Sequence, residues 1–571
     1  MIQSIDYYAI AAPLILALVA GLVLLLDAFL PRRPYARPAL GLITLAGVLG
    51  ALGVVVSQAL RGGAPLRTFC VPEGLAGPAR AGLGALPPAG GPSAAAGASC
   101  SFVVDGFTLV FAGLVLLAGA VVVLLSMAEL ADGDVPVGEW YFLLLCALVG
   151  AVSLPAARDM VMLVVALELV SLPVFALTAL RRYDGRASEA AVKLFLVSVV
   201  STAVMLFGVS LLYGMTGTVY LDRLAQTLRE TLHESVTGSG RPEALSGAGG
   251  VGQADRSDAA YTSLLEITYD LPPVVTVAVV LVIAGFAFKV AAVPFHAWAA
   301  DVYQGAPIPV AALLSVISKA AGFAGLILVL VAALGDQAAV WAPIIAIIAA
   351  LTMTAGNLLA LRQRNAVRLL AWSSVAQSGY ILAPLGVQSR EAMGASIAYL
   401  VFYAAMNLGA FTVVMLVSRR DGGELDDYRG LVFRSPAAGL GLAFFLVCLA
   451  GLPPGLAGLF AKIVVFREIV DGGGAWLAAV MAVNTVIGLY YYIAWAVRIF
   501  APVRVPLDGG AGPAVTGGGE SAGAVFGTGG THRGVLPVGV AIALTGLVAV
   551  AFSVAPQWAL DLVPGAFTGS G

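Results

Sequence analysis

Runs of about twenty apolar residues recur along almost the whole chain, divided by short polar connections. Hydrocarbon offers no water to satisfy backbone N–H and C=O groups, so a run that long has to close its own hydrogen bonds as a helix. Composition points the same way. The 571 residues are 60% hydrophobic and 11% charged, with mean hydropathy +0.98, whereas soluble domains carry about 25% charged residues. The expected fold class is an all-α polytopic membrane protein with about fourteen transmembrane helices, surrounded by membrane lipids. The first run lacks a basic leader and a small-residue cleavage site, and reads as a retained helix. The net charge of −2 gives no sign of a nucleic-acid partner.

Three longer Gly/Ala-rich polar segments, 61–101, 215–271 and 502–534, interrupt the pattern. Within the second, YLDRLAQTLRETL (220–232) suits a short surface helix. The connections PRRPYARP, RRYDGR, LRQRNAVR and SRRDGGELDDYRGLVFRS hold thirteen arginines, whereas the short connections on the opposite side hold three, Arg158, Arg390 and Arg467. The positive-inside rule makes the first set cytoplasmic and puts both termini outside. The loop bearing Cys70 and Cys100 is then external, where a disulfide is permitted. Cys146 and Cys448 lie in apolar runs as packing residues, and no CxxC pair or Cys/His cluster offers an iron–sulfur or zinc site.

Basic residues are used unevenly. Of thirty, only four are lysine, Lys193, Lys289, Lys319 and Lys462, and all four fall inside apolar runs while every loop cation is arginine. Arginine stays protonated at any accessible pH, whereas a desolvated lysine can titrate near neutrality. Lysine therefore suits a chain that takes up and releases protons in a low-dielectric interior. Snorkelling to the interface is the plainer explanation. It is strongest for Lys193, a turn from its cytoplasmic end, and weaker for the other three. Glu168, in DMVMLVVALELVSLPVFAL (159–177), is the only carboxylate near the middle of a run. It needs a cationic partner, and Lys289 or Lys193 is the candidate.

Proline accompanies the lysines. Pro294 follows Lys289 by five residues, and GLPPGLAGLFAK (451–462) sets Pro453 and Pro454 before Lys462. Interrupted membrane helices persist where the freed backbone groups are buried in protein or line a watery cavity, and paired breaks point to an inverted-repeat core. The expected layout is an N-terminal three-helix segment over 1–130 with external loop 61–101. A first half-channel repeat follows over 139–334, with external loop 215–271, and a second over 339–500. A cytoplasmic loop (501–534) leads to the last helix and C-terminus, 535–571. The two five-helix repeats are inverted, each with one broken helix. His296, just past the first break and near a lysine and an open helix end, is a candidate proton carrier.

LELVSLPVFAL (167–177), FKVAAVPFHAWAADVYQGAPIPV (288–310), SVISKAAGF (315–323) and LPPGLAGLFAK (452–462) closely resemble the antiporter-like proton-channel subunits of respiratory complex I. Multisubunit sodium/proton antiporters share that core and supply the alternative reading. Three features distinguish the chain from sister subunits: lysine at 462 where one sister has glutamate, an end after the last helix without a long lateral helix, and the connection DDYRGL (426–431). The resemblance implies a bacterial plasma-membrane subunit of a proton-translocating NADH–quinone oxidoreductase. Its partners would be other membrane subunits, including sister antiporter-like ones. It also implies roles: Glu168 and Lys289 as a coupled pair, Lys319 as central relay, Lys462 as terminal group of the outward half-channel, and Lys193 and His296 as auxiliary relays. NADH, FMN, iron–sulfur clusters and quinone would be used by other subunits, with none bound here.

Overall fold

The structure is a computed structural model that describes residues 5–29, 36–71, 99–131, 135–181, 184–238, 273–387, 391–421, 423–502 and 535–561. Among these, eleven helices are long and apolar enough to cross a membrane. Two shorter apolar helices, Pro273–Lys289 and Pro436–Ala450, are the leading halves of the interrupted elements. The segment expected at 272–303 divides into Pro273–Lys289 and Ala299–Gly305. The one at 436–470 divides into Pro436–Ala450 and Leu456–Asp471.

Local chemistry sets several boundaries. Asp105, Asp159, Asp184 and Asn365 cap helix N-termini, each accepting from an orphaned backbone N–H. Gly217 and Gly451 end helices in the left-handed conformation, at φ 67° and 83°, which glycine adopts without strain. The helices Ile308–Ala333 and Ala392–Ser418 are buried on nearly all sides and form the centre of the molecule. Gly185–Thr216, at the periphery, turns an apolar face outward, with Val192, Leu196, Val200 and Phe207 exposed.

Leu66–Val71 pairs antiparallel with Ser99–Val104, setting Cys70 opposite Cys100, and the two sulfurs form a disulfide. The amphipathic stretch expected near 220–232 is helix Leu221–Gly238. Its Leu221, Leu224 and Leu228 pack inward, and Arg229 pairs with Asp336. Residues 72–98, 239–272 and 503–534, and with them most of loops 61–101, 215–271 and 501–534, lie outside the described residues.

Candidate functional site

The helix Met160–Ala179 brings Glu168 to the end of Pro273–Lys289. There the Lys289 ammonium lies 3.2 Å from Glu168 Oε1. It also donates to Ser171 Oγ (2.8 Å) and Ser198 Oγ (3.0 Å). Thr202 Oγ1 donates to the same Glu168 oxygen at 2.8 Å. Lys289 is 7% exposed, while the Glu168 side chain keeps 24%. The lysine's three N–H donors each have an acceptor within hydrogen-bond distance, one of them a carboxylate, so this buried side chain is fully hydrogen-bonded.

Immediately after Lys289 the chain leaves the helix, and the freed backbone groups find partners on other elements. Trp298 Nε1 donates to Phe288 O (3.3 Å), Ser378 Oγ to Val290 O (2.6 Å), and Val293 N to Thr352 Oγ1 (2.9 Å). The break is thus a built feature of the interior. Ser378 has a second role: its oxygen accepts from Lys319 Nζ at 2.8 Å. One hydroxyl therefore joins Lys319 to the backbone one residue beyond Lys289.

Lys319, 1% exposed, follows a π-helical turn, Leu314–Ser318. Besides Ser378 it donates to Ser374 O (2.5 Å) and Ser374 Oγ (2.7 Å). The Ser374 hydroxyl pairs with Tyr403 Oη at 2.8 Å, and Tyr403 donates to Ser315 O. The three acceptors of Lys319 are all uncharged.

At the second break Gly455 and Gly458 allow the half-helices to meet. A Cβ on Gly458 would lie 1.8 Å from Cys448 O, and one on Gly455 2.5 Å from Cys448 N. Across this contact Lys462 reaches back to the end of Pro436–Ala450, donating to Leu449 O (3.1 Å) and Ala450 O (2.8 Å). These carbonyls lie at the negative end of the half-helix dipole. The Tyr380 ring centroid is 6.0 Å from Lys462 Nζ. The same ring stacks on Tyr399, whose hydroxyl donates to Gln377 Oε1 at 2.6 Å.

Helix Ala366–Leu382 therefore serves two lysines, with Ser374 and Ser378 on Lys319 and Tyr380 beside Lys462. Sequence reading passed over these side chains and over Ser171, Ser198, Thr202 and Tyr403. The available signal was AWSSVAQSGY (371–380), a run of small and polar residues inside an otherwise apolar chain.

Two sequence candidates sit elsewhere. Lys193 bonds Glu189 (2.7 Å) and Asp301 (3.1 Å) with 44% of its side chain exposed, and Arg368 also holds Asp301 (2.8 Å). These residues, with Arg186 and Gln304, line an open cavity of about 220 Å³. His296 packs edge-on against Trp372 with ring centroids 5.5 Å apart, its Nδ1 buried without a hydrogen-bond partner. Among the described residues no group of three or more His, Cys, Asp or Glu side chains gathers as a metal site would require.

Residues 157–488 match the family model described as NADH:quinone oxidoreductase/Mrp antiporter, TM. NADH-quinone oxidoreductase subunit N 2 of Streptomyces griseus is 44% identical over 98% of this chain and 93% of its own length. Subunit N of Salinispora tropica is 42% identical over 89% and 88%. A chain of respiratory complex I from Thermus thermophilus aligns with TM-score 0.65 at 28% identity, covering 96% of this chain and 98% of that one. A chain of the Mrp complex from a Dietzia species aligns at TM-score 0.73 and 21% identity, covering 98% and 97%, and so shares the fold. With a matching model over more than half its length and near-full-length relatives above 40% identity, the chain belongs to the NADH:quinone oxidoreductase/Mrp antiporter membrane family, among the subunits N of NADH-quinone oxidoreductase.

Proposed function

We propose that the chain moves protons outward across a bacterial plasma membrane along Glu168, Lys289, Lys319 and Lys462. Electron transfer in other subunits of NADH-quinone oxidoreductase drives the movement. The observation that carries this reading is the Glu168–Lys289 pair at a helix break, 3.2 Å apart, with Ser378 tying that break to Lys319. While the pair is closed, Lys289 is held as an ammonium. Drawing Glu168 away leaves only hydroxyl acceptors, and a proton then leaves more readily toward Lys319. A charge moved through 100 mV is worth about 2.3 kcal/mol, within reach of a field change from a neighbouring subunit. Lys462, held by backbone carbonyls, is the terminal donor to the outer side. This chain supplies the conduit and has no redox centre of its own; NADH, FMN, iron–sulfur clusters and quinone belong to its partners.

Fourteen crossings follow if each broken helix and Ala366–Leu382 span the bilayer, with 139–334 and 339–500 as inverted halves and both termini outside. Contacts between connections support the sidedness. Arg181 pairs with Glu129, and Leu425 N donates to Arg364 O, all at ends assigned to the cytoplasm. Arg229 pairs with Asp336 at the other face.

The deciding experiment is proton pumping together with NADH–quinone electron transfer in membrane vesicles carrying Lys289→Ala. Loss of both places Lys289 on a path tightly coupled to redox chemistry. If electron transfer and pumping are both unchanged, the reading fails in favour of an antiporter subunit, and a sodium-flux assay follows.

A further inference from the structure

Asn407, on the Ala392–Asp421 helix, has no exposed surface, and neither its Nδ2 nor its Oδ1 has a hydrogen-bond partner. Such orphans are costly to bury, and interiors that keep one usually meet it with water. The neighbours give that water a context. Tyr399, Tyr403, Asn407 and Phe411 recur every fourth residue and share one helix face. Tyr403 is hydrogen-bonded to Ser374, which directly accepts from Lys319. On the other side Phe411 lies with its ring 6.5 Å from that of Tyr303. Tyr303 belongs to Ala299–Gly305, the far half of the first broken helix. Asn407 is thus flanked, one turn away in each direction, by the hydrogen-bond shell of Lys319 and by the broken helix.

All three Lys319 N–H groups point at protein acceptors. Exchange with water therefore has to run through one of those acceptors. The Ser374 and Tyr403 hydroxyls form the continuous route, Lys319 Nζ to Ser374 Oγ to Tyr403 Oη. Each hydroxyl can accept a proton and release its own, Tyr403 once its O–H turns from Ser315 O toward the water, so a charge crosses with no heavy atom displaced. We propose that Asn407 is a positioning residue of this route: its carboxamide holds water against Tyr403, and Lys319 exchanges protons through Ser374, Tyr403 and that water. The proposal rests on the reading of Lys319 as a relay.

Leucine has the same branched heavy-atom skeleton as asparagine and removes both orphaned polar atoms. A side chain that only packs would therefore leave Asn407→Leu silent or more stable. The test uses the intact complex in membrane vesicles, comparing wild type, Asn407→Leu, Asn407→Ser and Lys319→Ala in H₂O and D₂O. The expected result for Asn407→Leu is a fall of about tenfold in proton flux, equivalent to ~1.4 kcal/mol in barrier. Its thermal stability should be unchanged or higher and its solvent isotope effect larger. Serine, which can hold water in the space it leaves, should restore most of the flux. Wild-type flux and isotope effect in Asn407→Leu, with Lys319→Ala inactive, would overturn the Asn407 role alone. Wild-type behaviour in both would remove the Lys319 relay beneath it. If Asn407→Leu does not assemble, an assembled Asn407→Ser without flux overturns the proposal, and one with wild-type flux but a raised isotope effect supports it.

Discussion

At the first break Lys289 is the last helical residue before the chain opens, and its ammonium is bound by side chains from two other helices, one of them a carboxylate. At the second break Lys462 follows the opening and donates to two carbonyls of the half-helix before it. Side-chain ligands can move with their helices and so can be made and broken. Backbone carbonyls at a helix end are fixed by the fold and offer a steady partial negative charge. In the proposed function the first site changes state, whereas the second keeps one field and hands a proton onward. Lys319 stands between them with uncharged acceptors, tied to the first break through Ser378.

The largest expected effect is at the switching site. Glu168→Gln keeps the shape and the hydrogen bond from Thr202 but removes the charge opposite Lys289. Proton transfer should fall by about a hundredfold or more, the scale of losing a proton-transfer group, while the complex still assembles. Pumping at the wild-type rate in an assembled Glu168→Gln complex would mean that the two breaks do not differ in kind. Lys462→Arg probes the other side of the contrast. Arginine can bind the same carbonyls yet does not release its proton, so flux should drop about tenfold, a smaller loss than at Glu168. A Lys462→Arg complex that pumps normally would make the second site a fixed charge and nothing more.

The sequence made the lysines and the breaks visible because each is costly in hydrocarbon and therefore rare there. Four lysines against a background of arginine could be read without a fold. The partners could not. Ser171, Ser198, Ser374 and Ser378 are unremarkable residues in a chain where small side chains abound, and they acquire meaning only when helices distant in sequence are packed together. Lys462 shows the limit most plainly: its ligands are main-chain carbonyls, which every residue carries. The two candidates for Glu168 were separable only by which turn of Gly185–Thr216 faces inward. Ser198 and Thr202 lie on the Lys289 side, and Lys193 turns toward the solvent-open cavity.

That last separation gives the smallest and most discriminating prediction. Lys193 shares Asp301 with Arg368, so Asp301 keeps a cationic partner when Lys193 is removed. Exposed ion pairs of this kind contribute little and are screened by salt. Lys193→Gln should therefore change pumping by less than about twofold at low ionic strength, and the difference should vanish at high salt. A half-exposed lysine that only anchors helix ends requires this outcome, measured as proton flux per NADH oxidised across a salt series. A collapse matching Lys289→Ala and insensitive to salt would instead place Lys193 on the path, delivering protons from the Asp301 cavity to Glu168. The first half would then hold two lysines around one carboxylate, and the contrast with the second break would widen to an inlet that loads and an outlet that only releases.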